Sequence, residues 1–516
     1  MENNDPKNYA RRLVKGSAIV FTGLIAAGLV GFLLRMFLAR NLSVGDYGLF
    51  YAVFSLVSFF SLFRDLGLNS ALVKYIPEFQ VHRDFRSIKS AIISVTLFQA
   101  IFALLITALL FVFSDWFALE FFKSEAAVGP LQILSIWFFI MVFYSVIRSA
   151  FQGLQNMLIY SALEFSWITL VLFWSIILVG DFCLGPFGVA SAYLLSTLVM
   201  NALGLVYFRM RYQRVFEGKP ANVKLLSKKL FMFALPVFIG SLGVMILSYM
   251  DTIMLTIFRT LPEVGYYQAA QPTASILWTF VVALTTVLFP MVSELWAKRE
   301  QVLLSTTLHF SIKFLFVLIV PAALTFIAFP DIILRLLFGD EYLAGVTALR
   351  ILSGGMVVYM FFAILANVMS GINKPSINTK VVVAMACLNF LGNLLLIPKY
   401  GIEGAAITTF CSYLFGTFAL FRYSKKYVKF VMPTSYLFKT SVGGMLTLFL
   451  ISALKFVIVL PPWPEAFIVM ILSLIFYVGW IVLSKALTED DLRLIAQILP
   501  MPKWLIKIAR KFTNIA

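Results

Sequence analysis

The sequence predicts an all-α polytopic membrane protein of about fourteen transmembrane helices, and three observations predict it. Hydrophobic residues make up 61% of the 516 positions and charged residues 13%, about half the charged share of a soluble domain. Apolar stretches of about 20 residues, enough to cross a ~30 Å hydrocarbon core, recur along the whole chain. Lys and Arg gather in alternate connections between those stretches.

Spans are expected near 14–39, 47–70, 88–113, 128–150, 157–180, 186–209, 230–257, 267–292, 308–330, 346–370, 376–397, 401–421, 436–459 and 465–485. The first follows MENNDPKNYARRLVKG, a polar and basic lead with no small-residue cleavage site, so it reads as a retained span and not a removed signal peptide. With the N-terminus inside, 30 of the 41 Lys and Arg residues fall on inner segments, five on outer loops and six within spans. This imbalance predicts that both termini are cytoplasmic, and the multi-pass protein is expected in the cell membrane. It also accounts for the net charge of +17 without any nucleic acid. Cys183, Cys387 and Cys411 have neither disulfide nor metal-ligand spacing and are expected to be packing residues.

The sequence repeats itself weakly at a shift of about 216 to 219 residues. RNLSVGDYG at 40–48 aligns with RTLPEVGYY at 259–267, FSD at 113–115 with FPD at 329–331, FQGLQN at 151–156 with MSGINK at 369–374, and LGPFGVASAY at 184–193 with YGIEGAAITT at 400–409. The matches keep their order and fall in equivalent loops. They divide the chain into a six-helix lobe at 1–211, a basic cytoplasmic linker at 212–228, a second six-helix lobe at 229–421, an extra helix pair at 422–486 and a basic amphipathic cytoplasmic tail at 487–516. An even number of spans separates the copies, so the halves are parallel repeats, which suits two bundles rocking about a central site. In the tail, Thr488 and the acids after it read as a helix cap and first turn. Lys503, Lys507, Arg510 and Lys511 then alternate with Trp504, Leu505, Ile506 and Ile508, as in a helix lying on a membrane surface.

The segment GFLLRMFLARNLSVGDYGLFYAVFSLVSFFSLFRDLGLNSALVKYIPEF, residues 31–79, carries an Arg late in the first span, an aromatic-Gly pair at Tyr47-Gly48, and a D-L-G-L turn from Asp65 to Leu68 followed by a basic segment. In these features it resembles the first two spans of the polysaccharide biosynthesis or oligosaccharide flippase family of the multidrug/oligosaccharidyl-lipid/polysaccharide exporter superfamily. The repeat and the extra helix pair extend the likeness over nearly the whole chain. The resemblance implies a V-shaped, two-lobed transporter and not an enzyme. Its cargo would be an oligosaccharide linked to poly-isoprenyl phosphate or pyrophosphate, moved from inner to outer leaflet by alternating access for cell-surface polysaccharide or glycan synthesis. Membrane lipids and glycan-assembly proteins are the other implied partners, and a monomer is the implied state.

Charges within spans cost at least ~2.5 to 3.5 kcal/mol at the bilayer centre and mark protein interiors or watery cavities, unless they lie within snorkelling reach of an interface. Lys313, Lys380 and Lys455 lie near span ends and are expected to snorkel. Arg35 precedes Arg40 by five residues, about 7.5 Å deeper along a helix, and its side chain leans toward the N-terminus, away from the outer surface. A cavity-facing role is therefore favoured over snorkelling. The repeat sets Met254 opposite Arg35, with Asp251 one turn deeper, about 12 Å below Arg259 and too short to reach water easily. Arg35 and Asp251 are expected to approach when the outer side is closed and to separate when it opens. Toward the inner end, neighbours Arg64 and Asp65 cannot face one partner. The expected arrangement pairs Asp65 or Glu164 with Arg148 and leaves Arg64 at the cytoplasmic mouth. Arg350, early in the tenth span, either serves an outer vestibule or snorkels.

These seven residues are candidates for substrate binding or gating, with no catalytic or metal-ligating set among them. Arginine suits a phosphate-bearing substrate because its planar fork donates bidentate bonds and stays protonated in apolar surroundings. Asn367, Asn389 and Asn393, with Trp167, Trp174 and Trp278, are candidates for a sugar path. Two rival readings stand beside the flippase. A cation-coupled multidrug or toxin extruder needs intramembrane carboxylates, yet the first span offers arginine and no acid. Asp251, Glu164 and Asp65 remain available for a coupling ion, sodium or proton; no other cofactor is expected. A membrane glycosyltransferase or sugar-chain polymerase calls for a long outer loop with clustered acids, whereas the outer loops are short and His82 and His309 are the two histidines.

Overall fold

The computed structural model describes residues 6–217, 223–428, 432–457 and 462–486. The expected tail at 487–516 and residues 218–222 of the expected linker lie outside them. Among the described residues every regular element is a helix. In order these are α1 (Pro6–Asn41), α2 (Val44–Asp65), α3 (Leu68–Val81), α4 (Phe85–Val112), α5 (Ser114–Trp116), α6 (Val128–Gly153), α7 (Met157–Ser175), α8 (Gly185–Arg211), α9 (Gln213–Phe216), α10 (Val223–Phe258), α11 (Leu261–Ala274), α12 (Trp278–Ala297), α13 (Gln301–Ala328), α14 (Pro330–Leu337), α15 (Val346–Gly371), α16 (Pro375–Ser424), α17 (Thr434–Val457) and α18 (Pro462–Leu483).

Twelve of the described helical stretches are long and apolar enough to cross a membrane, by length and composition. One of them, α16, divides at Gly401, whose φ of 55° and ψ of −129° are non-helical, and the apolar part of α18, Phe467–Leu483, is shorter. Counting the division and the short helix gives the fourteen apolar segments that hydropathy predicts. Their surfaces suit lipid, since Leu29, Leu105, Phe418 and Phe449 are 64%, 63%, 66% and 74% exposed, a greasiness that a water-facing monomer avoids.

Helix boundaries follow cap chemistry. Ser43 accepts the Asp46 amide at 3.1 Å and donates to the Asp46 carboxylate at 2.7 Å, which starts α2. α2 stops at Asp65 because Leu66 and Gly67 take positive φ, 49° and 76°. The span expected over 47–70 therefore ends early and α3 begins separately at Leu68. Asp84 caps α4 through the Ser87 amide, and Asn156 caps α7 through the Ile159 amide. Positive φ also recurs with the sequence repeat. Arg83 and Arg299, Lys123 and Gly339, Gln155 and Asn373, and Cys183 and Gly401 share it, at separations of 216, 216, 218 and 218 residues. A residue of positive φ thus lies in equivalent loops of both copies.

The chain forms two compact units, one of residues up to Ala269 with Asn393–Ile402, the other of Ala270–Gly392 with Glu403 onward. In the first, α1 packs on α7, α6 on α4 and α8, and α10 along α2, α3 and α4. Leu72, Ile76, Val95, Phe151 and Leu230 share its core, so α10 joins the body built by the first copy of the repeat. In the second unit α13 packs on α12, α15 and α17, and α17 on α18. Phe329, Ile451 and Val469 form a small core cluster there. Cys183, Cys387 and Cys411 are all exposed and do not serve as core packing. A thiol behaves as a small apolar group, which an apolar surface tolerates.

Candidate substrate-binding and gating site

The first unit holds a polar network built from α1, α2, α10, α11 and the Asn393 end of α16. Arg35 of α1 lies with its guanidinium carbon 4.3 Å above the Tyr51 ring of α2. Its Nη1 donates to Gln268 of α11, at 3.2 Å to Oε1 and 3.5 Å to the backbone oxygen. Tyr47, one turn before Tyr51, donates its hydroxyl to the same Gln268 carbonyl at 3.5 Å. Gln268 in turn donates from Nε2 to Thr252 Oγ1 of α10 at 2.6 Å. Beside Thr252, Asp251 accepts from the Tyr267 hydroxyl and from Asn393 Nδ2, each at 2.6 Å. Asp251, Tyr267 and Asn393 are 6%, 1% and 0% exposed.

Two successive residues of α10, Asp251 and Thr252, therefore meet two successive residues of α11, Tyr267 and Gln268. Arg35 and Asp251, expected to approach when the outer side is closed and to separate when it opens, have separate partners in this structure and are linked through this zip. Arg35 rests its charge on a ring face and an amide, the arrangement that makes a cation tolerable in apolar surroundings. Asp251 is solvated by neutral donors, as a buried carboxylate requires. α2 and α11 come close enough to form the network because Gly48 lacks a side chain. A Cβ there would collide with the Leu261 carbonyl, and one at Gly265 would stand 2.5 Å from the Val44 carbonyl.

A second set of charges lies along α2, α4, α6 and α7. Arg64, 8% exposed, donates from Nη1 to the Phe138 carbonyl at 3.0 Å and covers the Phe138 ring at 4.9 Å. It is thus turned into the protein in this structure, whereas the sequence expectation leaves it at the cytoplasmic mouth. Its buried Nε–H has no acceptor among the described residues. Asp65 accepts the Asn69 amide at 3.1 Å, which anchors the start of α3, and Gln99 Nε2 at 3.0 Å. Arg148 pairs with Glu164 at 3.3 Å, one of the two expected alternatives, and its guanidinium lies 4.3 Å over the Tyr160 ring.

In the second unit Arg350 is exposed and donates from Nε to the Ile327 carbonyl at 3.2 Å, near the end of α13. Lys455 caps the same helix at the Ala328 carbonyl, 2.7 Å away, and Lys380 is exposed. Lys313, expected to snorkel, is instead 8% exposed with its ammonium 5.6 Å over the Tyr436 ring. Asn389, fully buried, donates to Thr409 Oγ1 at 3.3 Å, and Trp167 donates to Thr197 Oγ1 at 3.0 Å. Among the described residues no group of three or more His, Cys, Asp and Glu could hold a metal ion.

Tyr51, Tyr267, Gln268 and Gln99 are the partners that sequence reasoning missed. A signal existed for the two amides, since a glutamine within an apolar span must find a partner, as the in-span asparagines must.

The sequence model of the family described as Polysaccharide biosynthesis protein matches residues 13–296, and that of the family described as MatE matches residues 236–395. An uncharacterized membrane protein of Methanocaldococcus jannaschii is 33% identical over 422 residues, covering 79% of this chain and 82% of that protein. A probable low-salt glycan biosynthesis flippase of Haloferax volcanii is 22% identical over 507 residues, covering 95% of this chain and 100% of that protein. The lipid II flippase MurJ in an inward closed conformation shares the fold with a TM-score of 0.73 at 14% identity, covering 90% of this chain and 98% of that one. An inward-facing multidrug resistance MATE family transporter shares it with a TM-score of 0.63 at 16% identity, covering 77% and 93%. Match to the family model over more than half the chain, together with the 33% identity, shows that the chain belongs to the polysaccharide biosynthesis protein family.

Proposed function

We propose that the protein is a flippase that carries an oligosaccharide linked to poly-isoprenyl phosphate or pyrophosphate from the inner to the outer leaflet by alternating access. The observation that carries this reading is the state of two arginines within spans. Among the described residues neither Arg35 nor Arg64 forms an ion pair, and their hydrogen-bond and ring partners are neutral: Gln268 and Tyr51 for one, Phe138 for the other. An intramembrane guanidinium is costly to hold. A phosphate arriving with its own lipid offsets that cost with short bidentate bonds. The names of the flippase relative and of the family support the same substrate class. Both termini in the cytoplasm of a cell-membrane protein, a monomer, and glycan-assembly partners belong to this reading.

Reconstitution into vesicles with a fluorescent poly-isoprenyl-phosphate sugar tests it. The label should reach the opposite leaflet at a protein-dependent rate. Arg35→Ala and Arg64→Ala should each lower that rate roughly tenfold or more, the loss of a charge-assisted bond to substrate. If the glycolipid stays in place while an organic cation is exported against sodium or protons, the extruder reading takes over. One feature favours that second reading: the segment matched by the MatE model includes the buried carboxylate Asp251.

A further inference from the structure

We propose that the two ends of the linker between the repeats form seats for the headgroup of an anionic phospholipid, with Arg209 and Lys228 as the phosphate-facing cations. At the end of α8 a groove of about 510 Å³ is lined by Val206, Arg209, Met210, Gln213, Phe216 and Glu217. Its floor is greasy and open, with Val206, Met210 and Phe216 being 57%, 70% and 41% exposed. The Arg209 side chain has no partner among the described residues.

The groove is held in shape. Val215, 3% exposed, sinks α9 into the core shared with Phe208, and Lys89 of α4 donates to the Phe216 carbonyl at 3.0 Å. On the other side of the linker, at the start of α10, a second groove of about 420 Å³ is lined by Phe98, Ser227, Lys228 and Phe231. The Phe98 and Phe231 rings stand 5.8 Å apart there, and Lys228 is exposed.

Each groove thus joins an apolar floor to a cation at the end of a membrane-spanning helix. Residues 209–229 carry seven Lys and Arg against one acid, Glu217, so the complementary ligand is an anion. At the end of a span, an anion that also brings an apolar body to cover Met210 or Phe98 is a phospholipid. Basic pockets at this depth attract acidic headgroups. The inference rests on the spans and the charge and not on what the protein transports.

The test is the thermal unfolding of the full chain in detergent as phosphatidylglycerol or phosphatidylcholine is added, because a ligand of the folded state raises the midpoint. Phosphatidylglycerol should stabilise at lower concentration than phosphatidylcholine. In a protein carrying both Arg209→Gln and Lys228→Gln, each seat loses its one cation, and the half-maximal phosphatidylglycerol concentration should rise roughly fivefold, with the phosphatidylcholine response unchanged. Arg209→Lys with Lys228→Arg keeps the charge and should keep the wild-type response. Equal action of the two lipids on the wild type, or a wild-type phosphatidylglycerol response in the double glutamine protein, would overturn the proposal.

Discussion

Tyr267 donates a 2.6 Å hydrogen bond to Asp251 across the α10–α11 contact, in a place where the phenol is 1% and the carboxylate 6% exposed. A buried carboxylate is tolerated only when donors replace water, and removing one donor costs more than an ordinary hydrogen bond. Tyr267→Phe should therefore lower the unfolding free energy by about 1.5 to 3 kcal/mol. Adding Asp251→Asn should return part of that loss, because a neutral amide needs less solvation. Unfolding of both single proteins and the double one in detergent measures the effect; a Tyr267→Phe protein as stable as wild type would mean that the bond does not hold Asp251.

Arg35 and Asp251 use separate partners, and this changes what a charge exchange should do. Arg35→Asp would place a carboxylate over the Tyr51 ring, and Asp251→Arg would press a guanidinium among the donors Tyr267 and Asn393. Each reversal loses its own solvation, so the double reversal should transport no better than the worse single one. Recovery of transport in the double protein would instead show that the two side chains meet in another state of the cycle.

Depth in the membrane is legible from a count of residues, and partner choice is not. Arg148 and Glu164 lie at similar depth on consecutive spans, and they pair. The repeat likewise could be read from short loop matches, because turns with positive φ constrain the residues that close them. Which helix face turns toward Arg35, however, depends on the close packing of Gly48 against the Leu261 carbonyl, a rotation that hydropathy does not encode. Lys313 shows the same limit. Its place near a span end suggested water, but a phenol from α17, Tyr436, covers it, and the Tyr436 hydroxyl bonds to the Lys313 carbonyl at 3.0 Å.

The Arg148–Glu164 pair is about one quarter exposed on both sides, 25% and 27%, so solvent screens it and its contribution to stability should be small, about 0.2 to 1 kcal/mol. A double-mutant cycle with Arg148→Gln and Glu164→Gln should return a coupling energy in that range. Transport of either single variant should stay within about fivefold of wild type, since a coupling of up to about 1 kcal/mol corresponds to an effect no larger than that. A loss of transport in Arg148→Gln without a matching loss of stability would move Arg148 from clamp to substrate contact.

Gly48 and Gly28 make a matched pair for testing the α2–α11 crossing. A methyl group at Gly48 has no room because the Leu261 carbonyl and the Gly265 amide occupy its place, whereas at Gly28 nothing lies within 4 Å. Backbone atoms cannot rotate away as a side-chain tip can, so Gly48→Ala must push α2 and α11 apart. This costs about 1 to 3 kcal/mol as an overpacked contact and loosens the Arg35–Gln268 bond that the crossing positions. Gly28→Ala should be neutral or slightly stabilising, by up to about 1 kcal/mol, through its higher helix propensity. Unfolding midpoints of the two proteins decide the matter, and equal midpoints would mean that the close crossing does not hold the folded state together.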